Sequence, residues 1–547
     1  MKTKLFTLVC LMSAINTLYA QERISADVKA AMELASADIL KANITYLADD
    51  KLLGRQPGKP GYQMAVDYVI GELQNNGVKP AGEKGTWLQT IVMRKATINP
   101  DLKASLTTDG KLTELTAGKD IILTPNPGVA KNKVDAGLVF VGYGITAPGL
   151  GYDDYKGINV KGKVVLVVRG VPESFAPADA THHQSALTVQ KNAMSHGAIG
   201  VLTCTFAAPV GGAGGLARAG ARATTSMLDE KGNIVSSSTY PLSKLKIVGT
   251  LTAATANAIF TQMGKDSKAV VDLLRKGESQ SFTTPTKLNA TYESTYEDFK
   301  TFNVAGKIEG SDSKLRKEYV VHSAHLDHVG VGRPIEGDSI YNGAHDNASG
   351  VSSLLQITKI YSGLKEKPKR SILILMVTGE EMGLLGSSYF ALKPTIPVKN
   401  MVANVNTDMP TIIAPLLSIT ALGAEHSTLV NPVNEAAAHL GLSVEPDPEP
   451  KENRFVRSDQ YSFIKQGIPA LHVKYGNKTA DGKNNLAAIV APWRAKYYHK
   501  PQDDINGIFD FDAGKKYAQL NFLIGYLVAN DVKRPAWNPG DVFEKKK

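Results

Sequence analysis

Five short stretches of this chain concentrate side chains that bind metals and move protons: SAHLDHVG, GAHDNASG, TGEEMGLLGS, NTDM and YYHKPQDD. Together they offer His325, Asp346, Glu381, Asp408 and His499. Two imidazoles and three carboxylates are donors that zinc accepts, and catalytic zinc sites keep one position open for water. Five such donors suit two zinc ions sharing one carboxylate, and a metal-dependent hydrolysis is the chemistry that such a pair supports. Glu380 and Glu381 are adjacent, so one carboxylate can be committed to metal while the other stays free to cycle a proton. Asp327, two residues past His325, is placed to accept that histidine's other N–H and fix its tautomer. His322, His328 and His345 crowd the same region, but extra histidines beside a site are more often structural, and they stay outside the ligand set.

Donors this far apart along a chain need a scaffold that returns them to one rim. In open α/β sheets that rim lies beyond the carboxyl ends of the strands. The apolar runs 319–323, 372–378 and 402–406 read as strands, followed by His325, by the glutamate pair and by Asp408. The run 372–377 is continuously apolar, as a strand covered on both faces demands. Helical stretches lie between these runs, at VSSLLQITKIYSG and MGLLGSSYFAL, and the alternation predicts an α/β domain whose central sheet is mostly parallel and flanked by helices.

Residues 40–80 read as two helices around a Gly/Pro turn at 57–61, with Ala65, Tyr68, Val69 and Leu73 on one helical face. They need a sheet to cover, and no sheet follows at once. From about residue 120 the chain changes to short β runs, GLVFVGYGI and KVVLVVRG, then a helix at 186–196 and the strand AIGVLTC. Helices are expected at 253–262 and 267–276, and the Gly/Ala-rich stretch 211–223 reads as a loop. The expected organisation is a leader at 1–20, an N-terminal part of the catalytic domain at 21–119, a β-rich insertion at 120–285, the catalytic domain proper at 286–535 and a tail at 536–547.

The leader has Lys2 and Lys4, an apolar run at 5–14 and a small residue, Ala20, before Gln21. That is the pattern of a secretory signal, shorter than the roughly 20 apolar residues of a membrane span. A periplasmic or secreted protein cleaved near Ala20, without stable membrane association, is the expectation. Only Cys204 lies beyond the leader, so no internal disulfide can form. The net charge of +10 falls to +8 without Lys2 and Lys4, and the basic residues are dispersed apart from KEKPKR and the terminal KKK. Nucleic-acid binders cluster such residues on one face, so nucleic acid is not an expected partner.

The order H-x-D, G-A-x-D-N-A-S-G, E-E, D-M and Y-H-x-P-x-D resembles the co-catalytic zinc aminopeptidase family, whose relatives include glutamate carboxypeptidases, transferrin receptor and glutaminyl cyclases. The resemblance runs over residues 40–77 and 303–530. It implies the zinc exopeptidase fold and two zinc ions per chain. His325 and Asp408 would hold one ion, Glu381 and His499 the other, Asp346 would bridge them, and Glu380 would be the general base. It also implies peptide substrates, with an aminopeptidase favoured; a carboxypeptidase, a glutaminyl cyclase or a non-catalytic relative is the alternative. A carboxypeptidase would need an arginine for the free carboxylate, and Arg333, Arg454 and Arg457 fall in suitable loops. In RSDQYSFIKQGIPALH, Ser458 and Asp459 match the family and are candidates to touch substrate, while Gln460 replaces a frequent histidine and bears on pocket lining. The insertion, with GYGI, the turn Tyr152–Tyr155 and KGKVVLVVRG, resembles a protease-associated domain.

Overall fold

The computed structural model describes residues 24–206, 223–237, 245–449, 454–541 and 543–544. The leader at 1–20, all but the last residue of the stretch 211–223 and the terminal KKK lie outside the described residues. The chain forms two compact units, residues 1–90 with 301–547, and residues 91–300.

In the first unit four parallel strands stand in the order Ser371–Val377, Tyr319–His325, Met401–Asn406 and Ala470–Tyr475. Residues 304–308 add an antiparallel strand beside Ser371–Val377, and Ser418–Leu422 adds one beside Ala470–Tyr475. A strand buried on both faces can be apolar at successive positions. Ser371–Val377 shows why: Ile372, Ile374 and Met376 enter one core, Leu373, Leu375 and Val377 the other. The first core is closed by the helices Ala37–Leu47, Pro60–Asn75, Ser349–Gly363 and Phe511–Asn530, the second by Leu385–Leu392 and Gln460–Ile464. Asp510 caps the long Phe511–Asn530 helix by accepting from the Ala513 N–H at 2.8 Å. The two early helices therefore belong to the catalytic unit, as the missing sheet in their neighbourhood predicts.

The second unit repeats the same logic on a smaller scale. Residues 138–140 pair in parallel with Val164–Val168, which pairs with Gly200–Cys204, which pairs with Ile247–Leu251. Alternate residues again feed two cores: Leu138, Phe140, Leu166 and Leu202 face one, Val139, Val141, Val165 and Val201 the other. Helices Ala186–Ser195, Ala253–Gln262 and Ser267–Arg275 lie at the expected positions. The boundaries do not: the break falls at 90/91 and 300/301 rather than at 119/120 and 285/286. Lys103–Thr108 pairs with residues 286–291 and with Lys111–Leu115, so hydrogen bonding binds these flanking residues into the second unit. Among the described residues no helix is long and apolar enough to cross a membrane.

Candidate metal centre

Each donor leaves a strand or helix end of the first unit. His325 is the last residue of Tyr319–His325, Glu380 and Glu381 follow Ser371–Val377, and Asp408 follows Met401–Asn406. Asp346 lies in the tight turn Ala344–Ala348 that feeds the helix Ser349–Gly363, and His499 lies just beyond the helix Leu486–Tyr497. Gly343 opens that turn at φ +63°, and a Cβ there would sit 2.1 Å from the Asp346 carbonyl and 2.5 Å from the His328 ring. Only glycine fits this backbone so close to the cluster.

The five side chains converge on the carboxylate of Asp346. Its Oδ1 is 3.2 Å from His325 Nε2, and its Oδ2 is 3.1 Å from His499 Nε2. Beyond the first histidine, His325 Nε2 is 3.4 Å from Asp408 Oδ1; beyond the second, His499 Nε2 is 3.1 Å from Glu381 Oε2. Asp346 thus presents one oxygen to each of two donor sets. Glu380 does not join either set; it lines the open cavity beside them with Asp346 and Asp408.

The electrostatics separate the two adjacent glutamates. Burial raises Glu380, and the nearby Asp408, Glu381 and Asp459 carboxylates hold it well above the usual range despite His325. Burial and Asp346 would raise Glu381 as well, yet the His328 and His499 rings pull it below its ordinary value. Burial would depress both histidines; instead Asp346 and Asp408 hold His325 well above its usual value, and Asp346 and Glu381 hold His499 at about 10. A buried cluster of carboxylates that draws protons onto its imidazoles is a cluster that fits divalent cations. His328 adds an orphan: its buried Nε2 has no hydrogen-bond partner.

Residues 303–521 match the model of peptidase family M28. Over those residues the chain is similar to the M28 peptidases. A probable lipoprotein aminopeptidase, LpqL, of Mycobacterium tuberculosis is 26% identical over 379 residues, 68% of this chain and 59% of that protein. The chain therefore spans about three-fifths of that relative's length. A probable zinc metalloprotease of Pyrenophora teres f. teres is 33% identical over 106 residues, 19% of this chain and 22% of its own. Among solved structures, the aminopeptidase from Aneurinibacillus sp. strain AM-1 is alike with a TM-score of 0.52 at 19% identity, over 94% of this chain and 100% of that one. At that identity the likeness is one of fold.

Asp327 meets His325 through a different atom from the one its position suggests. The His325 Nδ1 donates to the main-chain carbonyl of Asp327 at 3.1 Å, while the Asp327 carboxylate stands 4.0 Å away. That carboxylate instead accepts from the backbone N–H of Glu380 at 3.2 Å and of Glu381 at 3.4 Å. Asp327 therefore sets both the histidine tautomer and the course of the glutamate loop; burial raises its own carboxyl to about 7.

His328 also departs from expectation. Its Nδ1 lies 2.7 Å from Glu381 Oε1, and its donor atom, with those of Asp346 and Glu381, falls within 4.8 Å of the others. His322 and His345 are structural as expected: His322 meets the Tyr361 hydroxyl at 3.2 Å, and His345 Nε2 meets the Ile508 carbonyl at 3.0 Å. Burial lowers them to about 3 and about 4.

The remaining candidates divide. Ser458 lines the cavity and accepts from Asn406 at 2.8 Å. Asp459 is fully buried behind it, outside the cavity wall, and burial raises it to about 6. Gln460 is likewise buried rather than lining: it accepts from Asn406 at 3.0 Å and donates to the Phe455 carbonyl. Arg333 is exposed on the strand Gly330–Ile335, whereas Arg454 and Arg457 line the cavity.

Three supporting residues were not singled out by the sequence. Arg55 is buried and donates to the carbonyls of Leu47, Leu326, Asn342 and Gly343, holding the loops on both sides of the cluster. Asn347 accepts from Gly350 at 3.0 Å and Met409 at 2.9 Å, tying the Asp346 turn to the Asp408 loop. Asp503 accepts the N–H groups of His345 and Asp346 at 2.9 and 3.0 Å. Asp503 is the last residue of the Y-H-x-P-x-D motif, which is the signal that could have found it.

Proposed function

We propose that the M28-like domain is a di-zinc exopeptidase, an aminopeptidase that removes N-terminal residues from peptides. His325 and Asp408 would hold one ion, Glu381 and His499 the other, and Asp346 both. The observation that carries this reading is the Asp346 carboxylate, whose two oxygens each face a different histidine at 3.2 and 3.1 Å. The donor chemistry fits, because the His325 Nδ1–H is committed to a carbonyl and leaves Nε2 to coordinate. Zinc bound there supplies Lewis acidity and lowers the pKa of water toward neutrality.

Glu380 is the general base of this reading. Burial and the neighbouring carboxylates raise its affinity for a proton, so in its ionised form it would take one from the attacking water and then deliver it to the leaving amine. Asp327 orients it through the backbone N–H. Lys2, Lys4, the apolar run at 5–14 and Ala20 support export with cleavage near Ala20, and the separate cores of residues 91–300 are compatible with a protease-associated domain.

Zinc content and hydrolysis test the proposal together. The purified chain is expected to hold close to two zinc ions and to cleave amino-acid p-nitroanilides, with activity lost to a chelator and restored by zinc. About one ion per chain with cyclisation of N-terminal glutamine would favour a glutaminyl cyclase. Cleavage of N-blocked dipeptides alone would favour a carboxypeptidase.

A further inference from the structure

The cavity beside the donor cluster is lined by acidic side chains and by basic ones. Asp346, Glu380 and Asp408 supply the first, and Arg454, Lys474 and Arg494, with Arg457, the second. Arg454, Lys474 and Arg494 also line a second cavity of about 330 Å³, whose other walls include Leu486 and Val490. They arrive from three elements, the turn Arg454–Val456, the strand Ala470–Tyr475 and the helix Leu486–Tyr497.

The charge of Arg454 is already met, by Asp447 at 2.5 Å and Glu449 at 3.3 Å. The other two are not. Lys474 gives its ammonium to two neutral acceptors, the carbonyls of Asp408 at 2.7 Å and Met409 at 2.8 Å. Arg494 lies over the Tyr498 ring at 5.4 Å, and its buried Nε has no hydrogen-bond partner. Among the described residues neither has an ion pair with a carboxylate. They are not needed to balance the donor cluster either, since two divalent cations would outweigh its three carboxylate ligands. An arginine and a lysine held without counterions against a substrate cavity match a carboxylate that arrives with the substrate.

We propose that Lys474 and Arg494 form a carboxylate-recognising subsite, so that preferred substrates carry a negative charge next to the scissile bond. This rests on the di-zinc exopeptidase reading. The carboxylate can be an acidic side chain flanking the bond or the free C-terminus of a dipeptide, and matched substrates separate the two.

The test uses the zinc-loaded full chain and three pairs: Glu- against Gln-p-nitroanilide, Ala-Glu-amide against Ala-Gln-amide, and Ala-Gln against Ala-Gln-amide. At least one charged member is expected to be preferred in kcat/KM by on the order of tenfold, as an ionic hydrogen bond would supply. Preference in the first two pairs assigns the subsite to a side chain, preference in the third to the C-terminus. Arg494→Gln and Lys474→Gln should each shrink that ratio, and Arg494→Glu should reverse it. Turnover of the neutral members with no preference, or a preference that survives both Gln variants, would overturn the subsite while leaving the peptidase intact. Absence of all turnover would instead remove the peptidase reading. Calorimetric binding of the same compounds would then decide the subsite: tighter binding of a charged member that weakens in Arg494→Gln supports it, and equal binding rejects it.

Discussion

His328 points its Nδ1 at Oε1 of Glu381 from 2.7 Å, so an imidazole outside the predicted ligand set holds the carboxylate inside it. The other oxygen of that glutamate faces His499 at 3.1 Å. Loss of an orienting partner of this kind costs about ten- to a hundredfold in metal affinity. His328→Ala is therefore expected to fold but to yield zinc to a competing chelator at that much lower concentration. Unchanged zinc retention would reduce His328 to a packing residue.

The two glutamates should fail differently. Glu380→Gln is expected to keep its zinc and lose on the order of a hundredfold or more in kcat, the share of a positioned general base. Glu381→Ala is expected to lose one ion per chain. Metal analysis of both purified variants checks this, and equal metal loss would reverse the assignment.

Stripped of metal, the protein should show a pH dependence set by the same groups. The folded state holds the His499 proton up to about 10, against an ordinary value of 6.5. That contribution is complete below about pH 6.5 and is lost as pH rises through 10, because the unfolded chain releases its proton first. Asp346 and Glu381 are shifted downward, so their contribution is present above the ordinary carboxylate range and is lost as pH falls below it toward their folded values. In a chelator the protein should therefore resist thermal unfolding most in the mildly acidic range. His499→Gln should flatten the alkaline limb, and an unaltered limb would contradict the coupling.

Arg55 tests whether the loops are held by one buried guanidinium. Arg55→Met would orphan the carbonyls of Leu47, Leu326 and Asn342 and leave Gly343 with the Ala348 N–H alone. A buried acceptor left unpaired costs about 1–3 kcal/mol, so a loss of roughly 3 kcal/mol or more is expected in denaturant unfolding of the chelated protein. A change below about 1 kcal/mol would mean that water or backbone shifts replace those bonds.

Cys204 is buried in the second unit, and burial pushes its thiol up to about 12. Thiolate is the reactive form, so a protein starting at Gln21 should resist thiol reagents at neutral pH and label fully once unfolded. Rapid stoichiometric labelling of the native protein would show that this core opens readily.

Much of the molecule was legible in its residues because the relevant signals are local. Unbroken apolar runs such as 372–377 announce strands buried on both faces, and the donors directly follow three of those runs, so strand ends alone bring His325, the glutamate pair and Asp408 to one rim. Side-chain direction and long-range hydrogen bonding are not local. Whether Asp327 meets His325 by its carboxylate or its carbonyl depends on where the Glu380 N–H sits, 53 residues away. His328, Asp503, Arg55 and the Lys474–Arg494 pair likewise acquire their roles from partners brought close only by folding. The unit boundaries followed the same rule, since strand pairing between residues 103–108 and 286–291 is invisible to composition. Residue type and spacing determined which chemistry was possible; tertiary contact decided which atom of each residue performs it.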